Sequence, residues 1–135
     1  NTISKRITYS HMDWEELLTI GSERPFENGE IERFCANLQF SPEEFCDTLC
    51  LRLATGYSRG IFDFGFCDGV VNHLQSYMLL AHNVALPEFS ESVFQAFDQG
   101  EYRHRGDAPS VSAEKKYTRP IIASLLAERK GLHMS

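Results

Sequence analysis

Apolar residues recur every three or four positions along most of the chain, which is the spacing of amphipathic helices. In the clearest case Ser41 and Pro42 come directly before a set of apolar residues at this spacing. Glu44 follows three residues after Ser41, which is the pattern of a capping box. The apolar face of this segment is formed by Phe45, Cys46, Leu49, Cys50 and Leu53. We therefore predict a helix that begins at Ser41 and is closed by Gly56 or Gly60.

Two shorter helices are predicted before this one. The first follows Ser10 as the capping residue and ends near Gly21 and Pro25. The second follows Asn28 and carries apolar side chains at helical spacing up to Leu38. The segment before them, residues 1–9, contains a weak signal of extended structure.

Three further helices are predicted after residue 67. Asp68 is expected to cap a long buried helix, and the segments 87–100 and 112–131 repeat the amphipathic pattern. Pro120 is expected either in the first turn of the last helix or at a kink in it. Residues 101–111 are expected to form a polar loop.

The stretch GIFDFGFCDG, residues 60–69, does not fit a regular helix pattern. Phe62, Phe64 and Phe66 alternate as on one face of a strand, but no neighbouring segment alternates as a partner. We interpret residues 60–67 either as a short aromatic loop inserted into the core or as an irregular entry to the helix that follows. The sequence as a whole predicts an all-α fold, a single compact domain over residues 1–135 with about six helices and short loops.

Composition and length agree with one globular domain. The chain has 135 residues, of which 42% are apolar and 24% charged. No apolar run reaches the roughly 18 residues of a membrane span, and the N-terminal residues lack the apolar core of a secretory signal. The four cysteines are predicted to be reduced core residues of a cytoplasmic protein, since a bond between Cys46 and Cys50 would strain their helix.

The charge is unevenly distributed. The formal net charge is −6, but residues 11–68 hold twelve acids and four bases and so carry −8. No Lys or Arg occurs from Gly60 to Tyr102, and the segment from Glu101 to Lys130 carries +3. An acidic body repels nucleic acid and attracts basic proteins, so we expect no nucleic-acid partner. The alternative is that the net charge only maintains solubility.

A nucleophilic site is one interpretation of the group Asp63, Cys67, Asp68 and His73. A catalytic thiol needs an imidazole within hydrogen-bond reach. His73 lies about one and a half turns beyond Asp68, which directs its ring away from the start of the helix. We therefore favour a core thiol at Cys67 over a catalytic one.

Cofactor and metal sites are not predicted. No Cys or His spacing typical of a metal site occurs, and neither glycine-rich stretch has the residues of a phosphate loop. Glutamates do occur in pairs, but each pair falls in the first turn of a predicted helix, where the helix dipole explains it. Arg103, His104 and Arg105 form a polar cluster that either binds an anion or pairs with acids of the same chain.

In character the chain resembles the small acidic immunity proteins of bacterial toxin systems, including contact-dependent growth inhibition. Three features carry the resemblance: the net charge of −8 over residues 11–68, the cysteines that are predicted to be reduced, and the aromatic stretch FDFGFCDG. The resemblance implies a non-enzymatic inhibitor in the cytoplasm that covers the basic active-site cleft of a cognate toxin, often a nuclease. The residues expected to make this contact are Asp13, Trp14, Glu15, Glu16, Glu27, Glu30, Glu32, Glu43, Glu44 and Asp47.

Two alternatives stay open at this point. A small enzyme using Cys67 and His73, or the loop from Arg103 to Arg105, would require a pocket with an imidazole beside the thiol. A regulatory domain that senses a small ligand would require an apolar cavity beside the three phenylalanines of residues 62–66. Exposed aromatic side chains at Trp14, Tyr57 and Tyr102 would instead favour a protein-binding surface.

Overall fold

The computed structural model describes residues 12–27 and 29–134, with side chains as far as residue 129. Six α-helices and no strand occur in these residues, which confirms the all-α prediction. The helices are α1 Trp14–Glu23, α2 Glu30–Leu38, α3 Pro42–Ser58, α4 Phe64–His82, α5 Glu88–Gln99 and α6 Arg119–Met134. A π-helical turn, Glu114–Thr118, leads directly into α6, so Pro120 lies in the first turn of that helix.

Side-chain caps define where three of the helices begin. The Asp13 carboxylate accepts a hydrogen bond from the Glu16 amide at 2.8 Å, so Asp13 caps α1, and the prediction of Ser10 in that role was wrong. Ser10 and Asn28 themselves lie outside the described residues, and Gly29 occupies the cap position of α2. Ser41 and Glu44 form the predicted capping box of α3, with distances of 3.1 and 3.0 Å.

The start of α4 differs from the prediction. Asp63, not Asp68, caps this helix and accepts a hydrogen bond from the Phe66 amide at 2.8 Å. Gly60 adopts a φ of +76°, which ends α3 and leaves a short link before α4. Phe62 then stacks on Phe66 with ring centroids 4.6 Å apart. The aromatic stretch is therefore half linker and half helix, because a cap five residues upstream of Asp68 was available.

Three helices run in the same direction. Near their beginnings, Trp14 of α1 stacks on Phe45 of α3 at 5.8 Å, and Asp47 of α3 accepts hydrogen bonds from Ser90 of α5. Near the ends of α3 and α5, Tyr57 contacts Phe97 edge-on at 5.1 Å. The N-terminal turns of α1, α3 and α5 consequently lie at one end of the bundle.

The helices α4 and α6 run the opposite way. The first half of α4 packs on the last turns of α1, where Gly69 approaches Ser22 closely. At the start of α6 the Thr118 hydroxyl donates to the Ala96 carbonyl at 2.8 Å, near the end of α5. Further along α6, Arg129 lies 4.3 Å from the ring centroid of Phe89, near the beginning of α5.

One continuous core fills the space between these helices. Its fully buried members come from α1, α2, α3, α4, α5 and α6, which is what a single domain requires. The largest of them are Phe45, Phe97, Leu17, Leu18, Ile31, Leu49, Leu53, Leu74, Met78 and Ile122. At the end where α1 and α3 begin, Trp14, Phe34, Phe40 and Phe45 form an aromatic cluster with centroids 4.7–6.1 Å apart.

Substitution of Gly69 tests the contact between α1 and α4. A Cβ atom on Gly69 would lie 2.8 Å from the carbonyl oxygen of Ser22, which is too close for these two atoms. The backbones of α1 and α4 would therefore have to move apart. We expect Gly69→Ala to lower the free energy of unfolding by about 1–2 kcal/mol, the cost of overpacking less the gain in helix propensity. Urea denaturation measures this.

Gly65→Ala is the matched control. Gly65 lies in the same helix, and the nearest atom to its added Cβ is 3.7 Å away. We expect that variant to be neutral or up to about 1 kcal/mol more stable. Equal losses in both variants would contradict the close approach of α1 and α4.

Candidate functional site

Cys67 and His73 do not form a catalytic pair. The Cys67 side chain is fully buried, and this burial, together with the negative charge of Asp63, raises the pKa of the thiol. The ring of His73 lies against α1, with Nδ1 2.6 Å from the Gly21 carbonyl oxygen. That carbonyl can only accept, so Nδ1 carries the proton. The structure therefore provides no activated thiol at Cys67.

The other cysteines are also free thiols, as predicted. Burial raises the pKa of Cys50 to about 12 and that of Cys35 to about 11, and it shifts Cys46 in the same direction. A raised pKa leaves little reactive thiolate at neutral pH. These side chains act as small apolar residues of the core.

Five of the predicted contact residues lie together at one end of the bundle. They are the acids of the first turns of α1 and α3, which the stacking of Trp14 on Phe45 holds side by side. Glu88, in the first turn of α5, belongs to the same end, because Ser90 is hydrogen-bonded to Asp47. We call this surface the acidic end, and its residues are Asp13, Glu15, Glu16, Glu43, Glu44 and Glu88, all exposed.

The acidic end keeps its charge available for a partner. Within residues 12–27 and 29–129, no Lys or Arg nitrogen lies within 4 Å of any of its carboxylate oxygens. Asp13 and Glu44 bind backbone amides at the helix starts, which fixes their positions, and the amide of Ser41 lowers the pKa of Glu44. The remaining four carboxylates have no such anchor.

Glu30 and Glu27 do not belong to this surface. The Arg24 guanidinium donates to both carboxylate oxygens of Glu30, at 3.0 and 2.8 Å, and the Glu27 amide donates to the same group. Arg24 therefore lowers the pKa of Glu30, which is 8% exposed, and it also lies 3.7 Å from Glu27. Glu30 thus forms an internal ion pair with Arg24 in the turn between α1 and α2. The expectation that Glu30 is available to a partner was therefore wrong.

Glu32 and Asp47 also bind groups of their own chain. Glu32 accepts hydrogen bonds from the Tyr77 hydroxyl and the Gly29 amide. Partial burial by itself raises the pKa of Glu32, but these bonds outweigh it and the net shift is downward. Asp47 accepts from the hydroxyl and the amide of Ser90, at 2.7 and 3.3 Å. Both acids thus connect parts of the chain, although Glu32 itself remains exposed.

Two of the three predicted exposed aromatic residues are not exposed. Trp14 is half-buried in the aromatic cluster, with the Arg52 guanidinium 5.1 Å from its ring centroid. Tyr57 is 9% exposed and donates to Glu114 at 2.6 Å, whereas Tyr102 is exposed as predicted. Trp14 therefore supports the acidic end from behind and does not project from it.

The loop of residues 101–111 is organised by Asp107. This carboxylate accepts from the His104 amide, the Tyr117 hydroxyl and Lys116, and the Lys116 contact is the main reason that its pKa is lowered. Arg103 donates to the Pro109 carbonyl at 2.7 Å. Asp107 is thus the centre of an internal network, whereas Arg105 is exposed.

A second acidic group lies at the opposite end of the bundle from the acidic end. Asp68 of α4 is hydrogen-bonded to Asn72 and lies against Glu101, just after α5, with Asp98 nearby. The pKa of Asp68 is raised to about 7, mainly by partial burial and secondly by the contact with Glu101.

Neither a metal centre nor a membrane-spanning helix is found in the part of the chain that the structure describes. No three of its His, Cys, Asp and Glu side chains are grouped so that they could hold a metal ion. None of its helices combines the length and the apolar character that crossing a membrane requires. A cavity of about 240 Å³ does lie beside Phe62, but the ring of Phe62 itself fills the space over Gly56.

Comparison with known proteins adds no assignment. The chain matches no protein-family model, no curated protein and no solved structure. Arguments about function therefore rest on the residues of this chain alone.

The raised pKa of Asp68 leads to a prediction about stability and pH. A carboxyl group whose pKa is raised on folding contributes stability that is fully present below about pH 4 and is lost as the pH rises through 7. Asp68→Asn removes the charge, so we expect it to stabilise the protein at pH 8.5 by about 1 kcal/mol after solvent screening. At pH 4 we expect no gain.

Urea denaturation at the two pH values measures the difference. Glu23→Gln, which removes an exposed acid at the end of α1, serves as the control and should show no such pH dependence. A gain for Asp68→Asn that is the same at pH 4 and pH 8.5 would contradict the raised pKa.

Proposed function

We propose that this protein is a non-enzymatic, protein-binding inhibitor that neutralises a cognate basic toxin, as the immunity proteins of bacterial toxin systems do. The binding surface is the acidic end, and the toxin contributes a cationic active-site cleft. In this proposal the protein acts in the cytoplasm and needs no cofactor or metal ion.

One observation carries the proposal: six exposed carboxylates lie at one end of the bundle, and none has a described Lys or Arg nitrogen within 4 Å. Elsewhere the chain does pair its acids, as Arg24 with Glu30 and Lys116 with Asp107 show. Unpaired like charges repel each other, and a complementary cationic surface relieves that repulsion on binding. Cys67 is buried and the ring of His73 is bound to the Gly21 carbonyl, so these two residues do not support the alternative of an enzyme that uses them.

The backbone positions from which the acidic end presents its charges are fixed by the helix starts. Each carboxylate sits in the first turn of a helix or at its cap, and the aromatic cluster packs directly behind α1 and α3. A preorganised surface loses little conformational entropy on binding. The carboxylates would occupy the positions that a nuclease uses for substrate phosphates.

Co-expression with a toxic reading frame encoded beside the gene tests the proposal. The protein should restore growth, and the purified pair should associate faster at low salt than at high salt. Glu16→Gln/Glu43→Gln removes two charges from the acidic end and should slow association several-fold at low salt.

Glu23→Gln/Glu27→Gln is the charge-matched control, because it removes two exposed acids at and just after the end of α1, at the opposite end of the bundle. We expect it to change the association rate less than twofold. Equal effects of the two double variants, association that salt does not weaken, or failure to restore growth would each contradict the proposal.

A further inference from the structure

A groove lies between the outer face of α3 and the facing turns of α6, away from the acidic end. It encloses about 590 Å³, which is within the range of pockets that bind small molecules. Three apolar side chains, two hydroxyl groups and two arginines line it. They belong to Leu51, Thr55, Ser58, Arg59, Leu126, Ala127 and Arg129.

The two arginines differ in what they contact. Since α6 runs opposite to α3, Arg59 lies at the end of the groove nearer the start of α6, and Arg129 lies at the other end. Arg129 is already placed over the ring of Phe89, at 4.3 Å. No described carboxylate lies within 4 Å of the Arg59 guanidinium, and no described aromatic ring packs against it. The exposed hydroxyl of Ser58 is its immediate neighbour in the chain.

We propose that this groove binds a free amphiphilic carboxylate of the fatty-acid class. The carboxylate head pairs with Arg59 and the Ser58 hydroxyl, and the alkyl chain lies along Leu51, Leu126 and Ala127. A guanidinium presents two parallel donors that match a carboxylate, and an apolar groove that leads away from it suits an alkyl chain.

The arrangement of charge favours a small ligand that carries one carboxylate. From Leu51 to Arg59 the groove spans about 12 Å at the helical rise. Of its two arginines, only Arg59 has neither a described carboxylate within 4 Å nor a described aromatic ring against it. One guanidinium at one end of the groove matches one carboxylate head. The inference is independent of the proposed function, because the groove and the acidic end share no residue.

Titration with dodecanoate below its critical micelle concentration tests the proposal, with amide chemical shifts and calorimetry as readouts. We expect a dissociation constant on the order of 0.1–1 mM and shift changes confined to residues 51–59 and 122–129. Arg59→Gln should weaken binding about tenfold, the effect of losing one charge-assisted contact. Arg105→Gln, which changes an exposed arginine in the loop 101–111, should leave binding within twofold.

Ala127→Trp gives a second variant that fills the groove without changing its charge. Ala127 is exposed, so we expect the variant to fold normally in a thermal melt and to lose dodecanoate binding. Equally tight binding of dodecyltrimethylammonium, unchanged binding by Arg59→Gln, shift changes elsewhere, or binding only to micelles or phosphatidylglycerol vesicles would each overturn the proposal.

Discussion

The aromatic stack of Trp14 on Phe45 holds the beginnings of α1 and α3 together, and the arrangement of the surface depends on it. Phe34 of α2 meets Trp14 edge-on at 4.7 Å and Phe45 at 6.0 Å, so three helices meet at this cluster. Aromatic contacts of this kind add about 0.5–1.5 kcal/mol each to the effect of area burial. Away from this cluster, α1 is held by α4, where Gly69 approaches Ser22 and His73 contacts the Gly21 carbonyl.

Parallel packing of helices has an electrostatic consequence. The positive ends of the dipoles of α1, α3 and α5 point to the same end of the bundle, where they repel each other. Acids in the first turns compensate, and the chain places exposed ones in all three helices. The same residues that stabilise the helix starts thereby form a coherent negative surface. In this protein a requirement of folding thus also determines where negative charge is exposed.

Much of the fold could be predicted from the sequence, because the signals of helix ends are local. The capping box of Ser41 and Glu44, the end of α4 at Asn83 and the end of α5 at Gly100 all follow from residue types at fixed offsets. Asp63 and Asp68 are both competent caps, and the choice between them depended on how Gly60 ended α3. That choice is a property of tertiary packing, so the prediction failed there.

The candidate site was less predictable for the same reason. Glu30 and Glu43 are indistinguishable as first-turn acids, yet Arg24 reaches Glu30 across a turn and no described cation reaches Glu43. Glu88 was left out of the predicted contact residues, although Pro87 marked it as a helix start, because only the direction of α5 relative to α3 brings it to the acidic end. Likewise Arg59 carried no signal in the sequence, since its neighbours in the groove come from α6.

The most direct test of the account is the charge of the acidic end in solution. Paramagnetic broadening of backbone amides by a cationic and by a neutral nitroxide separates local potential from simple exposure. The account predicts that the cationic probe, relative to the neutral one, concentrates at the amides of residues 13–16, 43–45 and 88–91, and that salt removes the difference. Equal broadening by the two probes at these amides, or a cationic preference spread evenly over the molecule, would contradict it.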